Sequence, residues 1–175
     1  LVRRGDAGIA ALLGSVKQTN NRLARLHGIW GIGQLGRKKP AVVEPLLPYL
    51  ADSDLEVRAH VAKVVGDAPL PSAAGQLITL LKDPEIRVRS HAATALGKLK
   101  SKDAVAPLLA ALAENADKDA YLRHALVMGL VTADAKALVA TAKHPSAALR
   151  LGAVLALRRQ ANAGVGVFMA DSDAY

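Results

Sequence analysis

The sequence predicts an all-α protein, a right-handed α-α superhelix of about five helical hairpins, and two observations favour this fold class. The apolar residues are mainly Ala, Leu and Val, with 3% aromatics, which suits closely packed helices rather than a core of large side chains. Arginines near the starts of apolar helical runs recur every 27 to 34 residues, at Arg25, Arg58, Arg89, Arg123 and Arg150. Repeats of this length are typical of solenoids, in which each unit buries its apolar face against its neighbours.

The repeat divides the chain, which we treat as a single domain over residues 1–175, into five units and a partial sixth. The predicted units are about 1–37, 38–68, 69–100, 101–133, 134–162 and 163–175. Apolar periodicity places two helices in each complete unit: 7–17 and 21–35, 40–50 and 55–65, 72–81 and 85–99, 103–113 and 120–131, and 135–142 and 147–159. The chain begins without methionine and ends on a repeated turn motif, Ala170–Asp173, so we expect a fragment of a larger protein.

The predicted helix boundaries follow from capping and breaking residues. In the second unit Asp52 or Ser53 is suited to cap the second helix, and Pro48 should kink or end the first helix. Three glycines stand near the predicted ends of second helices, where a left-handed residue closes a helix: Gly36, Gly66 and Gly97. At about 100° per residue, four valines of the unit's second helix share one face and are expected to be buried: Val57, Val61, Val64 and Val65.

An aspartate stands six residues before the repeated arginine in three units, as Asp52, Asp83 and Asp117. We expect each aspartate to accept backbone N–H groups at a helix start, and each arginine to donate to it and to the carbonyls of the next turn. Stacked units are then joined by a structural ladder: Asp52, Arg58, Asp83, Arg89, Asp117, Arg123, Arg25 and Arg150. We therefore interpret this series as structural rather than as an array of catalytic acids and bases.

By these residues the chain resembles the HEAT-repeat family, whose signature is a helical hairpin of about this length with Asp in the turn and Arg six residues later. The resemblance covers essentially the whole chain and implies an α-solenoid with an extended face for a partner. Two units depart from the signature, since Thr19 and His144 stand where the family has Asp.

Two segments, Arg25–Gly36 and Asp119–Ala125, resemble in addition the HEAT region of large bacterial exported proteins. In those proteins a sugar-dehydrogenase-like propeller precedes the repeats and a haem-binding cytochrome domain follows. This resemblance implies a connector between two redox domains in an exported or periplasmic protein; otherwise we expect a cytoplasmic one. The chain itself has no cysteine and therefore no Cys-pair motif for haem attachment.

The net charge of +8 is concentrated at one end of the chain. Residues 1–39 contain one acidic residue, Asp6, and eight basic ones: Arg3, Arg4, Lys17, Arg22, Arg25, Arg37, Lys38 and Lys39. Such an excess fits an acidic protein partner or a nucleic acid. The alternative is a solvated face that balances an acidic neighbouring domain.

Trp30 is the single tryptophan and the leading candidate for a binding residue. We expect it to be more than a third exposed, beside His27 and below Arg37, Lys38 and Lys39, where it would anchor a partner. The alternative is that Trp30 contacts a segment upstream of this chain.

The sequence carries no catalytic, metal or cofactor motif that we can identify. His27, His60 and His91 share a register, but neighbouring helices stand about 8–10 Å apart, too far for one zinc ion. Gly31–Gly36 matches G-x-G-x-x-G late in a helix, without the preceding strand that a dinucleotide site needs. No apolar run approaches the roughly 20 residues of a membrane span.

We therefore predict a non-enzymatic scaffold that binds a protein partner or spaces flanking domains, without a cofactor. A nucleic-acid-binding HEAT protein, similar to a DNA-repair glycosylase, is the alternative favoured by the sequence pI of about 10. Few aromatic side chains are present to stack on bases, which counts against that alternative. A lyase-like HEAT module that handles a tetrapyrrole is a third interpretation, which no residue supports.

Overall fold

A computed structural model of the chain describes residues 6–173, with side chains from residue 7 onward. Arg3 and Arg4, two of the basic residues counted above, lie outside the described residues. Within this part the α-helices are α1 Asp6–Val16, α2 Arg22–Gly36, α3 Leu55–Asp67, α4 Ala74–Thr79, α5 Ile86–Lys98, α6 Val105–Asn115, α7 Ala120–Leu130, α8 Ala135–Val139 and α9 Ala147–Arg159. Shorter 3-10 helices lie between them: Pro40–Ala51, Pro71–Ala73, Leu80–Lys82, Lys102–Ala104 and Ala163–Phe168.

The helices form hairpins that stack side by side. The second helices α2, α3, α5, α7 and α9 pack each against the next in this order. Each first half packs on its own second helix: α1 on α2, the 3-10 helix Pro40–Ala51 on α3, α4 on α5, α6 on α7 and α8 on α9. One layer of buried Ala, Val, Leu and Ile side chains runs through these joints. The predicted all-α solenoid is therefore confirmed, and residues 6–173 contain no β-strand.

The first half of the second unit is a 3-10 helix over its whole length, Pro40–Ala51, where the sequence predicted a kinked or shortened helix. Pro45 and Pro48 lie inside it. Proline has no N–H to donate, and in an α-helix its ring clashes with the carbonyl four residues earlier. With three residues per turn the two prolines share one side, while Leu46 and Leu50 are buried.

The glycines predicted to close second helices do not do so. Gly66 and Gly97 lie inside α3 and α5, and Gly36 is the last residue of α2. They permit close approach of neighbouring helices instead. A Cβ at Gly66 would lie 2.6 Å from Cα of Ala95, and one at Gly97 would lie 2.6 Å from the Met128 carbonyl oxygen. Any larger residue would therefore push adjacent second helices apart.

The start of α3 also differs from the prediction. Asp54, rather than Asp52 or Ser53, is the N-cap, since its carboxylate accepts the Glu56 N–H at 2.9 Å. Asp52 accepts the N–H of Asp54 at 2.9 Å and so fixes the turn instead of the helix start. The predicted valine face of α3 is confirmed as buried: Val57, Val61, Val64 and Val65.

None of the helices described is long and apolar enough to cross a lipid bilayer.

We expect Gly97→Ala to destabilise the joint between the third and fourth hairpins. The added methyl group meets backbone atoms of α7, and overpacking of this kind typically costs about 1–3 kcal/mol. Gly14→Ala is the matched control, because no neighbouring atom lies within 4 Å of a Cβ there and alanine should add about 0.5–1 kcal/mol. Urea unfolding of both variants measures the difference, and equal midpoints would contradict the close-approach interpretation.

Candidate functional site

Buried or half-buried arginines join neighbouring hairpins, and the aspartate that accepts hydrogen bonds from each arginine belongs to the following unit. Arg25 on α2 is 6% exposed; its Nη1 donates to Oδ1 of Asp52 at 3.2 Å and its Nη2 to Oδ2. Its Nε donates to the Val16 carbonyl oxygen at 2.9 Å. Arg58 on α3 makes the corresponding contact one hairpin later through a different pair of nitrogens, with Nε and Nη2 donating to the carboxylate of Asp83 at 2.8 and 3.1 Å.

Arg150 on α9 makes the same kind of contact at the end of the array. Its Nε and Nη2 donate to Oδ2 and Oδ1 of Asp171 at 2.6 and 2.8 Å. Its Nη1 donates to the carbonyl oxygen of His144 in its own turn at 2.6 Å, and Arg58 uses its Nη1 in the same way. Each of these guanidinium groups thus holds its own turn and the carboxylate of the next hairpin.

The pairing differs from the sequence prediction, which assigned each arginine to the aspartate six residues before it. Arg58 donates to the backbone carbonyl of Asp52, not to its carboxylate. The Asp52 carboxylate faces the preceding hairpin, where Arg25 reaches it across the joint. Paired, bidentate bonds of this kind are charge-assisted and directional, so they fix the orientation of one hairpin on the next.

The ion pairs shift the pKa values of their members. The hydrogen bond to the neighbouring aspartate raises the pKa of Arg25 and of Arg58. The hydrogen bond from Arg150 lowers the pKa of Asp171 from 3.8 to about 2. Because the folded-state pKa is the lower one, this contact stabilises the fold fully above pH 3.8 and is lost as the pH falls through about 2.

The ladder is interrupted between the third and fourth hairpins. Arg89 makes no contact with Asp117, and its buried Nε has no hydrogen-bond acceptor among the described residues. The fourth unit is three residues longer than the third, counted between Arg89 and Arg123. Its turn passes through left-handed conformations, with φ of 45° at Ala116 and 60° at Asp117. Asp117 therefore pairs with Arg123 of its own unit, and within residues 6–173 no other aspartate pairs with the arginine six residues later.

A second group of residues, which we call the aromatic–basic patch, comprises Trp30, His27, Arg37, Lys38 and Lys39. Trp30 is 42% exposed, as expected from the sequence, and its Nε1–H donates to Nδ1 of His60 on α3 at 3.0 Å. The ring of His27 lies 5.2 Å from that of Trp30. The other four members of the patch are exposed, and the three basic residues follow the end of α2. The structure therefore holds a partly exposed indole in a fixed orientation.

One exposed apolar residue near the patch escaped sequence reasoning. Leu23 is 68% exposed on α2. It lies four residues before His27 and seven before Trp30, so the three share one face of the helix. The spacing of these residues was visible in the sequence. Whether this face of α2 is exposed depends on how the neighbouring helices pack, which the sequence does not show.

His60 and His91 stand on the same flank of the second helices. Burial lowers the pKa of both below the usual value of 6.5, and the nearby charge of Arg87 lowers them further. Nε2 of His60 lies 3.6 Å from Oε2 of Glu56, which opposes the shift. Among residues 6–173 no three His, Asp or Glu side chains are grouped as a metal site.

We expect Arg58→Ala to destabilise the array strongly, because it leaves the buried carboxylate of Asp83 without its partner. Breaking one side of a buried pair typically costs about 3–5 kcal/mol. Arg123→Ala is the matched control: its bond to Asp117 lies within one unit and is solvent-exposed, so the loss should be about 1 kcal/mol or less. Chemical unfolding compares the two, and equal losses would contradict a structural role for the contact between hairpins.

We expect the fluorescence of Trp30 to change as the pH falls below about 6.5, because protonation of His60 at Nδ1 removes the acceptor of the indole N–H. The pKa of His60 is lower in the folded chain than in the unfolded chain, so the unfolded chain binds this proton at a higher pH. Stability therefore declines from about pH 6.5 downward, through the lower folded-state pKa.

An acid titration of His60→Gln is the control for that experiment. The glutamine carbonyl accepts a hydrogen bond without titrating, so the emission change assigned to residue 60 should disappear. His27 and His91 remain in the variant, and identical titration curves for the two proteins would exclude His60 as the cause.

The comparisons with known proteins agree with this geometry. Residues 43–131, just over half of the chain, match a family model described as HEAT repeats. No curated protein matches the chain. A chain of the complex of CpcE and CpcF of phycocyanin lyase from Nostoc sp. PCC7120 is similar in fold, with a TM-score of 0.70 and 21% identity. An engineered protein is similar with a TM-score of 0.59 and 16% identity.

The match to the lyase complex covers 87% of this chain and 64% of that chain, so this chain spans less than two thirds of its length. The match to the engineered protein covers 87% and 79%. At these identities the likeness concerns the fold alone. With stacked two-helix units, aspartate-bearing turns and a family match over half its length, this chain belongs to the HEAT-repeat family.

Proposed function

We propose that this chain is a non-enzymatic scaffold, part of a larger protein, that holds a protein partner or a flanking domain at the aromatic–basic patch. The observation that carries the proposal is the state of Trp30. It is a large aromatic side chain, 42% exposed, yet it is oriented by a hydrogen bond to His60 and by the ring of His27. A pre-oriented indole loses little conformational freedom when it is covered, which is why tryptophan is common at the centres of interfaces.

The charge around the patch favours a partner with an acidic surface. Arg37, Lys38 and Lys39 are exposed and make no ion pair among the described residues. They lie about 10 Å beyond Trp30 along the direction of α2, at a rise of 1.5 Å per residue. Complementary charge at the rim mainly accelerates association, while the buried anchor determines the lifetime of the complex.

The HEAT-repeat fold is consistent with this role, and the similar lyase chain itself comes from a complex of two proteins. We do not extend that protein's lyase activity to this chain. At 21% identity the similarity to that chain supports the fold only.

Nucleic acid is the second candidate partner, because of the net charge of +8. Much of the positive charge is used inside the structure, however. Arg25, Arg58 and Arg150 are held in contacts between hairpins, and Arg22 pairs with Asp54. The exposed basic residues that remain outside Arg37–Lys39 are spread over all the units, and Arg37–Lys39 is the longest consecutive basic run within residues 6–173.

The test is a comparison of three immobilised proteins: the parent chain, Trp30→Ala and Tyr121→Ala. Tyr121 is the matched control, an aromatic residue that is 85% exposed and lies on α7, away from the patch. Proteins retained from an extract of the source organism are quantified by mass spectrometry. We expect a partner that the parent and Tyr121→Ala retain and that Trp30→Ala binds about 30-fold more weakly, as for an anchor worth about 2 kcal/mol. Equal retention by all three proteins would contradict the assignment of Trp30.

A duplex-binding measurement separates the two candidate partners. A fluorescently labelled DNA duplex is titrated with the chain at about 50 and about 200 mM salt. We expect no binding at either concentration. Micromolar affinity that falls steeply with salt would overturn the protein-scaffold proposal in favour of nucleic acid.

A further inference from the structure

The interrupted joint between the third and fourth hairpins contains a cavity of about 280 Å³. This is close to the lower limit of ligand pockets, about 300 Å³. Its apolar wall includes Leu81, Ile86 and Leu122, and Ile86 is 41% exposed at its edge. Arg89 and Asn115 supply polar groups on the same surface. The cavity is therefore partly apolar, open to solvent and lined by an arginine.

The preceding joint shows what such a cavity contains when the ladder is complete. A cavity of about 340 Å³ lies there, and both Arg58 and Asp83 line it. The guanidinium of Arg58 is satisfied by two bonds to that carboxylate. Arg89 occupies the position of Arg58 in the next unit, but among the described residues no aspartate accepts a hydrogen bond from it.

The nearby acidic groups do not replace the missing aspartate. Asp117 is turned away and pairs with Arg123. Asp119 caps α7, where its Oδ1 accepts the Leu122 N–H at 2.7 Å. Glu114 lines the cavity but is exposed on α6 and makes no bond to Arg89. The Nε of Arg89 is buried without an acceptor among the described residues.

Lys118 also lines the cavity. The positive charges of Arg89 and Lys118 formally equal the negative charges of Glu114 and Asp119. The balance does not satisfy the guanidinium, because hydrogen bonds to it require an acceptor in its plane. A planar carboxylate with two oxygens matches that fork, as the three complete contacts between hairpins demonstrate.

We propose that this cavity binds a carboxylate carried on an apolar group, which completes the ladder at Arg89 in place of the absent aspartate. The carboxylate oxygens accept from the terminal nitrogens Nη1 and Nη2 of Arg89, as the carboxylate of Asp52 does from those of Arg25. The apolar group covers Leu81, Ile86 and Leu122. A peptide supplies this chemistry in two ways, through its C-terminal carboxylate or through an aspartate or glutamate side chain. The site lies between α5, α6 and α7, and it does not depend on the role proposed for the aromatic–basic patch.

The experiment follows the Nε–Hε signals of the arginines by nuclear magnetic resonance in the ¹⁵N-labelled full chain, with the Arg89 signal identified by its absence in Arg89→Lys. N-acetyl-leucine carries a free carboxylate, and N-acetyl-leucine amide has the same apolar group without the charge. A short peptide with an internal aspartate and blocked ends tests the side-chain source.

We expect a saturable shift of the Arg89 signal with at least one carboxylate probe in the millimolar range, and none with the amide. Arg58 is an internal control, since its guanidinium is already occupied and its signal should stay in place. Whichever carboxylate probe binds more tightly identifies the source. In Arg89→Gln, which keeps a polar side chain, the shift of neighbouring amides such as that of Leu122 should need at least tenfold more ligand.

Three results would overturn the proposal. The first is no saturable shift with either carboxylate probe. The second is an equal shift with N-acetyl-leucine amide, which would show binding of the apolar group alone. The third is movement of the Arg89 signal in ligand-free Glu114→Gln, which would show that the chain's own carboxylate occupies the guanidinium.

Discussion

The structure depends on the contact between an arginine of one hairpin and an aspartate of the next. A solenoid has no closed core, so each unit is stabilised mainly by its neighbours. Apolar packing supplies much of that stabilisation but tolerates sliding. The bidentate pairs Arg25–Asp52 and Arg58–Asp83 do not, because their geometry is satisfied in one orientation only. Packing therefore holds the hairpins together, and the ion pairs set their register.

The hairpins and their order were predictable, because apolar periodicity and the recurring arginine are local properties of the sequence. The predicted members Arg89, Asp117 and Arg123 form no hydrogen bond between hairpins among the described residues. Arg25, Arg58, Arg150, Asp52 and Asp83 do, and they were predictable for the same reason. Their partners were not: Asp52 stands closer in sequence to Arg58, yet the stacked hairpins bring Arg25 to its carboxylate. When a contact joins two units, the arginine nearest in sequence to an aspartate is not its partner. The left-handed turn at Asp117, which removes one contact, follows from a three-residue difference in unit length whose effect depends on packing.

The role of the glycines was also not predictable from the local sequence. Near the end of a predicted helix, glycine suggests a left-handed cap, but Gly66 and Gly97 are the second-last residues of α3 and α5, where two helices nearly touch. Both functions require the absence of a side chain, and only the neighbouring helix distinguishes them. The positions equivalent to Trp30 in the other units are Lys63, Thr94, Met128 and Leu155, so partial exposure of Trp30 was predictable. Its hydrogen bond to His60 on the next helix was not.

The proline-containing 3-10 helix Pro40–Ala51 has nearly the same length as a neighbouring helix that has more residues. A 3-10 helix rises about 2.0 Å per residue, against 1.5 Å for an α-helix. Its 12 residues therefore extend about 24 Å, nearly the same as the roughly 22 Å of the 15-residue helix α2 that it contacts. The first half of the second unit thus matches the length of α2 with three fewer residues. Because Pro45 and Pro48 prevent this segment from forming an α-helix, they also keep its length close to that of α2.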